Sequence, residues 1–312
     1  MHIEIRDVKG TIHYYLAHSY RKLGKIRKVR IYLGHGLSKS QLKERSDAAK
    51  SRLKEKLSVL EGIPDPYATV LSDREMVELR QLGSAGKIRL SHLSEEDWLK
   101  FTENFTYDTN AIEGSSIDQR EAKNIIEKNE WPDKPKQEIS ETQGVAEAVR
   151  YIRTTKEQLS IQLMLDLHRI VFRNSKEFAG HFRKAGEEVA VISASREIIH
   201  RGAPSHSITL LLKNLVKWYG DYKDEYPPLV LAAVVHNQFE NIHPFRDGNG
   251  RVGRLLLVNI LLKHKLPPVN IELKNRVQYY NALQEYELHG NIRPTIELIL
   301  KEYKRLKKLL GM

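Results

Sequence analysis

The chain contains no cysteine among its 312 residues. That excludes a disulfide framework and any zinc–thiolate centre, and it suits a reducing compartment. Long apolar runs are missing too: the longest, such as LVLAAVV from Leu229, are far too short to span a bilayer. The first ten residues, MHIEIRDVKG, hold no apolar stretch of the kind that directs secretion. A cytoplasmic protein without a membrane partner is therefore expected. Past residue 60 there is no charge excess, because the last 252 residues hold 36 Lys and Arg against 35 Asp and Glu. Residues 1–60 hold 15 against 5, so nearly all of the net charge of +11 lies there. A hydrophobic fraction of 40 % is ample for one large domain or two ordinary ones.

The basic segment also has a distinct texture. IHYYLAHSYR, a turn signal at Lys22 to Lys25 and IRKVRIYLG alternate apolar with polar or basic positions and predict a β-hairpin. Ser38 to Leu60 reads as a basic amphipathic helix, broken by IPDP at Ile63 to Pro66. The stripe Arg21, Lys22, Lys25, Arg27, Lys28 and Arg30, with Tyr14, Tyr15 and Tyr20 nearby, would suit contact with nucleic acid or another polyanion at residues 1–60. The hairpin faintly resembles N-terminal strands of some transposase-like proteins. The competing reading is a solvated sheet face whose tyrosines pack on the core.

The most informative stretch is HPFRDGNGRVGR, His243 to Arg254. Two glycines flank Asn249, so the backbone there can approach a ligand and aim successive N–H groups at it. The apolar run Leu255 to Val258 follows at once and reads as a buried helix, which puts Gly250 and Arg251 at its N-terminus, where anions bind. Arg251 and Arg254 then share the first turn. Two cations at that end cost stability by a few tenths to about 1 kcal/mol each unless an anion joins them. Asp247 suits a Mg²⁺ ion that bridges phosphate oxygens, and His243 is the group able to take a proton near neutral pH. Phe245 is expected to anchor the loop in the core, and Asn249 either to bind a phosphate oxygen or to hold a left-handed turn. His236 is expected to be a structural hydrogen-bonding residue.

This segment resembles the signature of Fic (Fido) domains, HxFx(D/E)GNGRxxR, with every fixed position filled. Spaced matches extend the resemblance over roughly residues 100–300: HNQFENIHPF from His236, QLMLDLHRIVF from Gln162, Gly180 to Arg183 with the flap strand Val189, Ala190, Val191 and Ile192, and NRVQYYNAL from Asn275. It implies a mainly α fold, a helical-bundle core with a β-hairpin flap. The implied activity is transfer of AMP from ATP to a Tyr, Ser or Thr hydroxyl of a protein, possibly of the chain itself, with Mg²⁺. His243 would be the base and Asp247 the metal ligand. Gly248, Asn249 and Gly250 would cradle phosphates that Arg251 and Arg254 neutralise, while Tyr279 and Tyr280 would meet the base or ribose. The flap would take up a target strand by strand addition. Some relatives read adenine with an Asn past the tyrosines, whereas this chain has Glu285, Tyr286, Glu287 and Leu288.

Upstream, Thr109 to Gly114 reads TNAIEG. Thr109 and Glu113 are four apart and share a helical face, with Gly114 placed as a stop. The segment resembles the (S/T)xxxE(G/N) inhibitory helix of some Fic proteins, in which the glutamate pairs with the second arginine of the signature, here Arg254. Glu113 would thus block the γ-phosphate position. The same residue also supports the alternative of a hydrolase that removes AMP, and a third reading is a nucleic-acid-binding regulator that senses nucleotide. The expected domains are a basic ββα-like module over 1–62, a linker and inhibitory helix region over 63–120, and the catalytic core with C-terminal helices over 121–312. The expected partners are ATP, a hydroxyl-bearing protein target, a polyanion at residues 1–60 and, for assembly, a second copy in a homodimer.

Overall fold

Two helices occupy the centre of the larger part of the chain because little in them can face water. They are α8 (Pro228–Ile242) and α9 (Asn249–Lys263). Leu229 through Val235 are each within 2 % exposure, and Leu255 to Leu261 are equally buried; helices apolar all round must lie inside. The computed structural model describes residues 1–8, 10–22, 25–61, 71–84, 93–192 and 198–309. Contacts divide the chain once, into Met1–Asp65 and Pro66–Met312.

In the larger unit, α3 (Glu95–Ile112), α5 (Lys136–Thr154) and α6 (Ile161–Phe172) pack on α9. Around α8 lie α2 (Asp73–Ser84), α7 (Ile208–Tyr222), α10 (Arg276–His289) and α11 (Arg293–Leu309). The short α4 (Gln119–Lys128) bridges α3 and α5. The mainly α expectation holds, interrupted by an antiparallel pair: β4 (Ala190–Ile192) with β5 (Ile198–Arg201). Residues 193–197, which join the two strands, lie outside the described residues.

The region expected as a linker and inhibitory helix, 63–120, holds α2 and α3 of this unit. α3 is a core helix that buries Trp98, Phe101, Phe105 and Ile112. Its start is set by a capping box between Ser94 and Asp97, and it stops at Glu113, where Ser115 N–H returns to Asn110 O at 3.0 Å. The position of the C-terminus of α3 is therefore held by packing along the helix and by closure of its last turn.

The smaller unit is a three-stranded antiparallel sheet, β1 (His2–Val8), β2 (Thr11–Lys22) and β3 (Lys25–His35), followed by α1 (Lys39–Glu61). The sequence reading anticipated β2, β3 and α1 but not β1. HIEIRDV does alternate, yet its apolar side has little to bury against: Ile5 is 61 % exposed. One face of the sheet packs on α1 through Leu16, Val29, Leu33, Ala49, Leu53 and Leu57, with Tyr14 against them. Tyr14 thus faces the helix and leaves the proposed stripe, whereas the side chains of residues 20–27 lie outside the described part.

Leu256 is wholly buried in α9. Leu256→Ala is expected to cost about 2–5 kcal/mol in chemical denaturation; a loss below about 1 kcal/mol would contradict the central placement of α9.

Candidate active site

The loop between α8 and α9 is shaped by backbone demands. His243 closes α8 in the left-handed region (φ 50°), its N–H bonded to Phe239 O at 2.9 Å. Gly248 opens α9 at φ 81°, a conformation in which a side chain is strained, and a Cβ there would stand 2.2 Å from the Phe172 ring. Asn249, 2 % exposed, spends both ends of its side chain on Phe245: Oδ1 accepts the Phe245 N–H at 2.8 Å and Nδ2 donates to Phe245 O at 2.9 Å. The left-handed conformation falls at His243 and Gly248 and not at Asn249, whose side chain braces the loop backbone, a role the sequence reading did not foresee. Phe245 is fully buried, as expected.

His168, which sequence reasoning missed, supports this loop from α6. Its ring stacks on Phe245 at 3.9 Å between centroids. Nδ1 accepts the Gly180 N–H at 2.8 Å, so Nε2 carries the proton and donates to Asp247 O at 3.1 Å. Burial pushes its pKa down to about 4, which keeps the ring neutral in this role. The only sequence signal was a histidine on the apolar face of a core helix.

His243 itself is held from two sides. Its Nδ1 lies 3.2 Å from Glu240 O, a contact that requires the proton on Nδ1 and leaves the Nε2 lone pair free. Arg183, buried beside it, donates to His243 O at 2.8 Å, Glu187 O at 2.8 Å and Ala203 O, so the guanidinium ties the flap's exit to the loop. Burial, and then the neighbouring His200, lower the His243 pKa to about 4. At neutral pH it is an unprotonated base.

Arg254 is also enclosed, at 2 % exposure. Its Nε donates to Thr109 Oγ1 at 2.7 Å, and Nη2 donates to Thr109 O at 3.0 Å and Glu113 Oε1 at 2.7 Å. Nη1 donates to Tyr279 OH at 3.2 Å. Thr109 and Glu113 do share a face of α3, and both reach the same guanidinium. Burial opposes the charge, but Tyr279 and Glu113 outweigh it and raise the pKa. The Glu113 carboxylate also lies against the first turn of α9, since a Cβ on Gly250 would stand 2.2 Å from Glu113 Oε1. A carboxylate therefore occupies the position where the helix N-terminus and an arginine would jointly hold an anion.

Arg251 is engaged differently from the expectation. It is 7 % exposed, bonded to Glu141 of α5 and laid over the Phe172 ring at 4.5 Å. Glu141, 110 residues away and unforeseen, balances it. Asp247 faces outward with its side chain 46 % exposed, 3.2 Å from Lys176 Nζ and 3.7 Å from Arg251 Nη2. Burial works against its charge, yet Arg251 and Lys176 hold its pKa below the usual carboxylate range. No cluster of three or more His, Cys, Asp and Glu suited to a metal exists among the described residues. One ionised, accessible carboxylate fits Mg²⁺ where phosphate oxygens supply further ligands.

Of the tyrosine pair, Tyr279 is buried at 1 % exposure beneath Arg254, and His236 Nε2 lies 3.0 Å from its hydroxyl. Tyr280 is 36 % exposed and donates to Ile112 O at 3.2 Å, bracing the end of α3. His236 is fully buried, its pKa pushed down to about 3 by burial, in line with a structural role. In the flap, Val191 pairs with His200 and Ala190 with Arg201; Ile192 lies opposite Ile198, and Val189 O accepts from Gly202 N–H at 3.1 Å.

The model of the Fic/DOC family matches residues 158–261 of the chain. "Protein adenylyltransferase Fic" of Nematostella vectensis is 31 % identical over 202 residues, covering 62 % of this chain and 45 % of that protein. "Protein adenylyltransferase fic-1" of Caenorhabditis elegans is 29 % identical over 206 residues, covering 63 % and 39 %. The chain thus spans less than half the length of these relatives. Among solved structures, a Fic family protein from Desulfovibrio desulfuricans superposes with a TM-score of 0.66 at 21 % identity, covering 78 % of this chain and 75 % of that one. A segment of Caenorhabditis elegans Fic-1 gives 0.62 at 24 %, covering 88 % and 77 %. These likenesses establish the fold.

Glu240 was also unforeseen. Its buried carboxyl has an Oε1 without a hydrogen-bond partner among the described residues, and burial raises its pKa to about 8. A raised pKa contributes stability at acidic pH that is lost as pH rises from about 4.5 through about 8. Glu240→Gln should therefore melt like wild type near pH 5 and above it near pH 9; equal shifts at both values would rule out a protonated Glu240.

Proposed function

We propose that this chain transfers AMP from ATP to a hydroxyl of a protein side chain, and that Glu113 restrains it at rest. The observation that carries this reading is the coincidence, at one helix N-terminus, of a neutral histidine and an arginine–carboxylate pair. His243 Nε2 would take the proton of the incoming hydroxyl as its oxygen attacks the α-phosphorus and pyrophosphate departs. The first-turn N–H groups of α9, at Asn249 and Gly250, would receive phosphate oxygens. Asp247 would hold Mg²⁺, which supplies positive charge to the phosphates when bound.

Arg254 would take the γ-phosphate, but only by exchanging the Glu113 carboxylate for it. Arg251, tied to Glu141, acts in this reading as a brace for the first turn. Tyr280 and the flap would flank the nucleoside, and the two-stranded β4–β5 ribbon has open edges on which a target backbone could align.

A second contact belongs to the smaller unit. On the sheet face away from α1, Tyr15 and Tyr32 stand 5.3 Å apart, and Arg6, Lys28 and Arg30 gather within 2.9 Å of Glu4. We propose that this face meets duplex nucleic acid through its cations and rings. Lys28→Ala with Arg30→Ala should reduce the dependence of duplex affinity on salt by about two units of log–log slope. An unchanged slope counts against the face.

Labelled AMP from α-labelled ATP with Mg²⁺ tests the chemistry. Glu113→Gly is expected to raise incorporation about tenfold or more, and adding His243→Ala to abolish it. Loss of turnover on Glu113→Gly, with removal of AMP from modified protein by the wild type, would favour the hydrolase instead. Because His243 must be unprotonated and burial and His200 hold its pKa well below the usual histidine range, kcat/KM of the Glu113→Gly variant should stay level through neutral pH and fall only at acid pH. A fall centred near pH 6.5 would mean that the site does not shift this base.

A further inference from the structure

A second histidine stands in the site, and no motif pointed to it. His200 lies on β5, paired across the flap with Val191. Its ring is 5.6 Å from that of His243 between centroids, at an interplanar angle of 54°. Its Nδ1 lies 2.7 Å from Glu287 Oε1 on α10, and the side chain is 12 % exposed. Its Nε2 is buried and has no hydrogen-bond partner among the described residues.

Each of these facts constrains the ring. A carboxylate accepts only, so the contact with Glu287 places a proton on Nδ1 and fixes the ring's orientation. The remaining nitrogen is then aimed by its partner, as an imidazole is oriented by a carboxylate in metal sites and catalytic triads. A buried polar atom without a partner is costly, so a ligand atom is the natural complement. Two rings at this separation both reach an atom lying between them, since each ring nitrogen stands about 1 Å from its centroid and a hydrogen bond adds about 2.8 Å. If His243 draws the proton from an attacking hydroxyl, the phosphorus under attack and its oxygens lie within a bond or two of that atom.

We propose that His200, oriented by Glu287, is a further catalytic residue: its Nε2–H donates to a non-bridging oxygen of the nucleotide's α-phosphate. This rests on the AMP-transfer reading above. With a carboxylate on one nitrogen and a phosphate oxygen on the other, the ring carries both protons and adds positive charge opposite the first turn of α9. The attacked phosphorus is thereby held between two donors, while the proton of the hydroxyl still goes to His243. Glu287 also gains a role in the segment where relatives carry an adenine-reading Asn: here the carboxylate is committed to the flap histidine.

The test separates this role from a latch between flap and α10. Affinities for AMP and for adenosine are measured by calorimetry on the full chain for wild type, His200→Ala, His200→Gln and His200→Asn. A glutamine amide nitrogen stands where Nε2 stood, and an asparagine nitrogen where Nδ1 stood. The expected result is an AMP affinity about tenfold or more weaker in His200→Ala and His200→Asn, largely restored in His200→Gln, with adenosine binding the same in all four. Equal weakening of AMP and adenosine, no weakening of AMP, or rescue by Asn and not Gln would each overturn the proposal. The Glu113→Gly labelling assay is read alongside: no label there, with the AMP pattern intact, sinks AMP transfer and leaves the phosphate contact standing.

Discussion

The site depends on keeping one guanidinium satisfied out of water. Arg254 is 2 % exposed, and a cation so placed costs several kcal/mol unless its N–H groups are all engaged and its charge is balanced. Two other helices engage four of its five N–H groups and balance its charge: α3 through Thr109 and Glu113, and α10 through Tyr279. Thr109 and Tyr279 are permanent neutral partners. The Glu113 carboxylate, with its side chain 31 % exposed, is the anionic partner. In the function proposed above it would be exchanged for a phosphate, and a resting block and a phosphate site would be two answers to the same electrostatic requirement.

The loop at the head of α9 is held with comparable economy. Asn249 closes it on itself, His168 holds Asp247 O, and Arg183 binds the carbonyl of His243. Burial keeps both histidines of this assembly neutral by lowering their pKa values to about 4, but with different outcomes. His168 has both nitrogens committed, whereas His243 retains an open lone pair. The division between brace and reagent comes from hydrogen-bond commitments and not from residue type.

Much of the architecture was legible in local pattern. The apolar runs from Leu229 and Leu255 made α8 and α9 buried helices, Gly248 and Gly250 marked the turn that opens α9, and the four-residue spacing put Thr109 and Glu113 on one face. Strand β1 was missed although HIEIRDV alternates, because seven residues with two alternating isoleucines are a short signal; the strand is held by pairing with β2 and its isoleucines stay largely exposed. Arg251 was read as a phosphate ligand because its partner, Glu141, lies 110 residues upstream. His168, Glu240 and His200 were passed over for the same reason: their chemistry is set by elements that approach from elsewhere in the chain.

The sequence by itself determined the residue types, their periodicity and hence the helical class, the basic character of the first 60 residues and the presence of a histidine ahead of a glycine-bounded helix start. These follow from spacing along a backbone whose local geometry has few choices. Tertiary structure decided which charges are balanced, which polar atoms are spent and which stay available. Burial, dielectric and partner identity are properties of what packs against a side chain, and no local spacing encodes them.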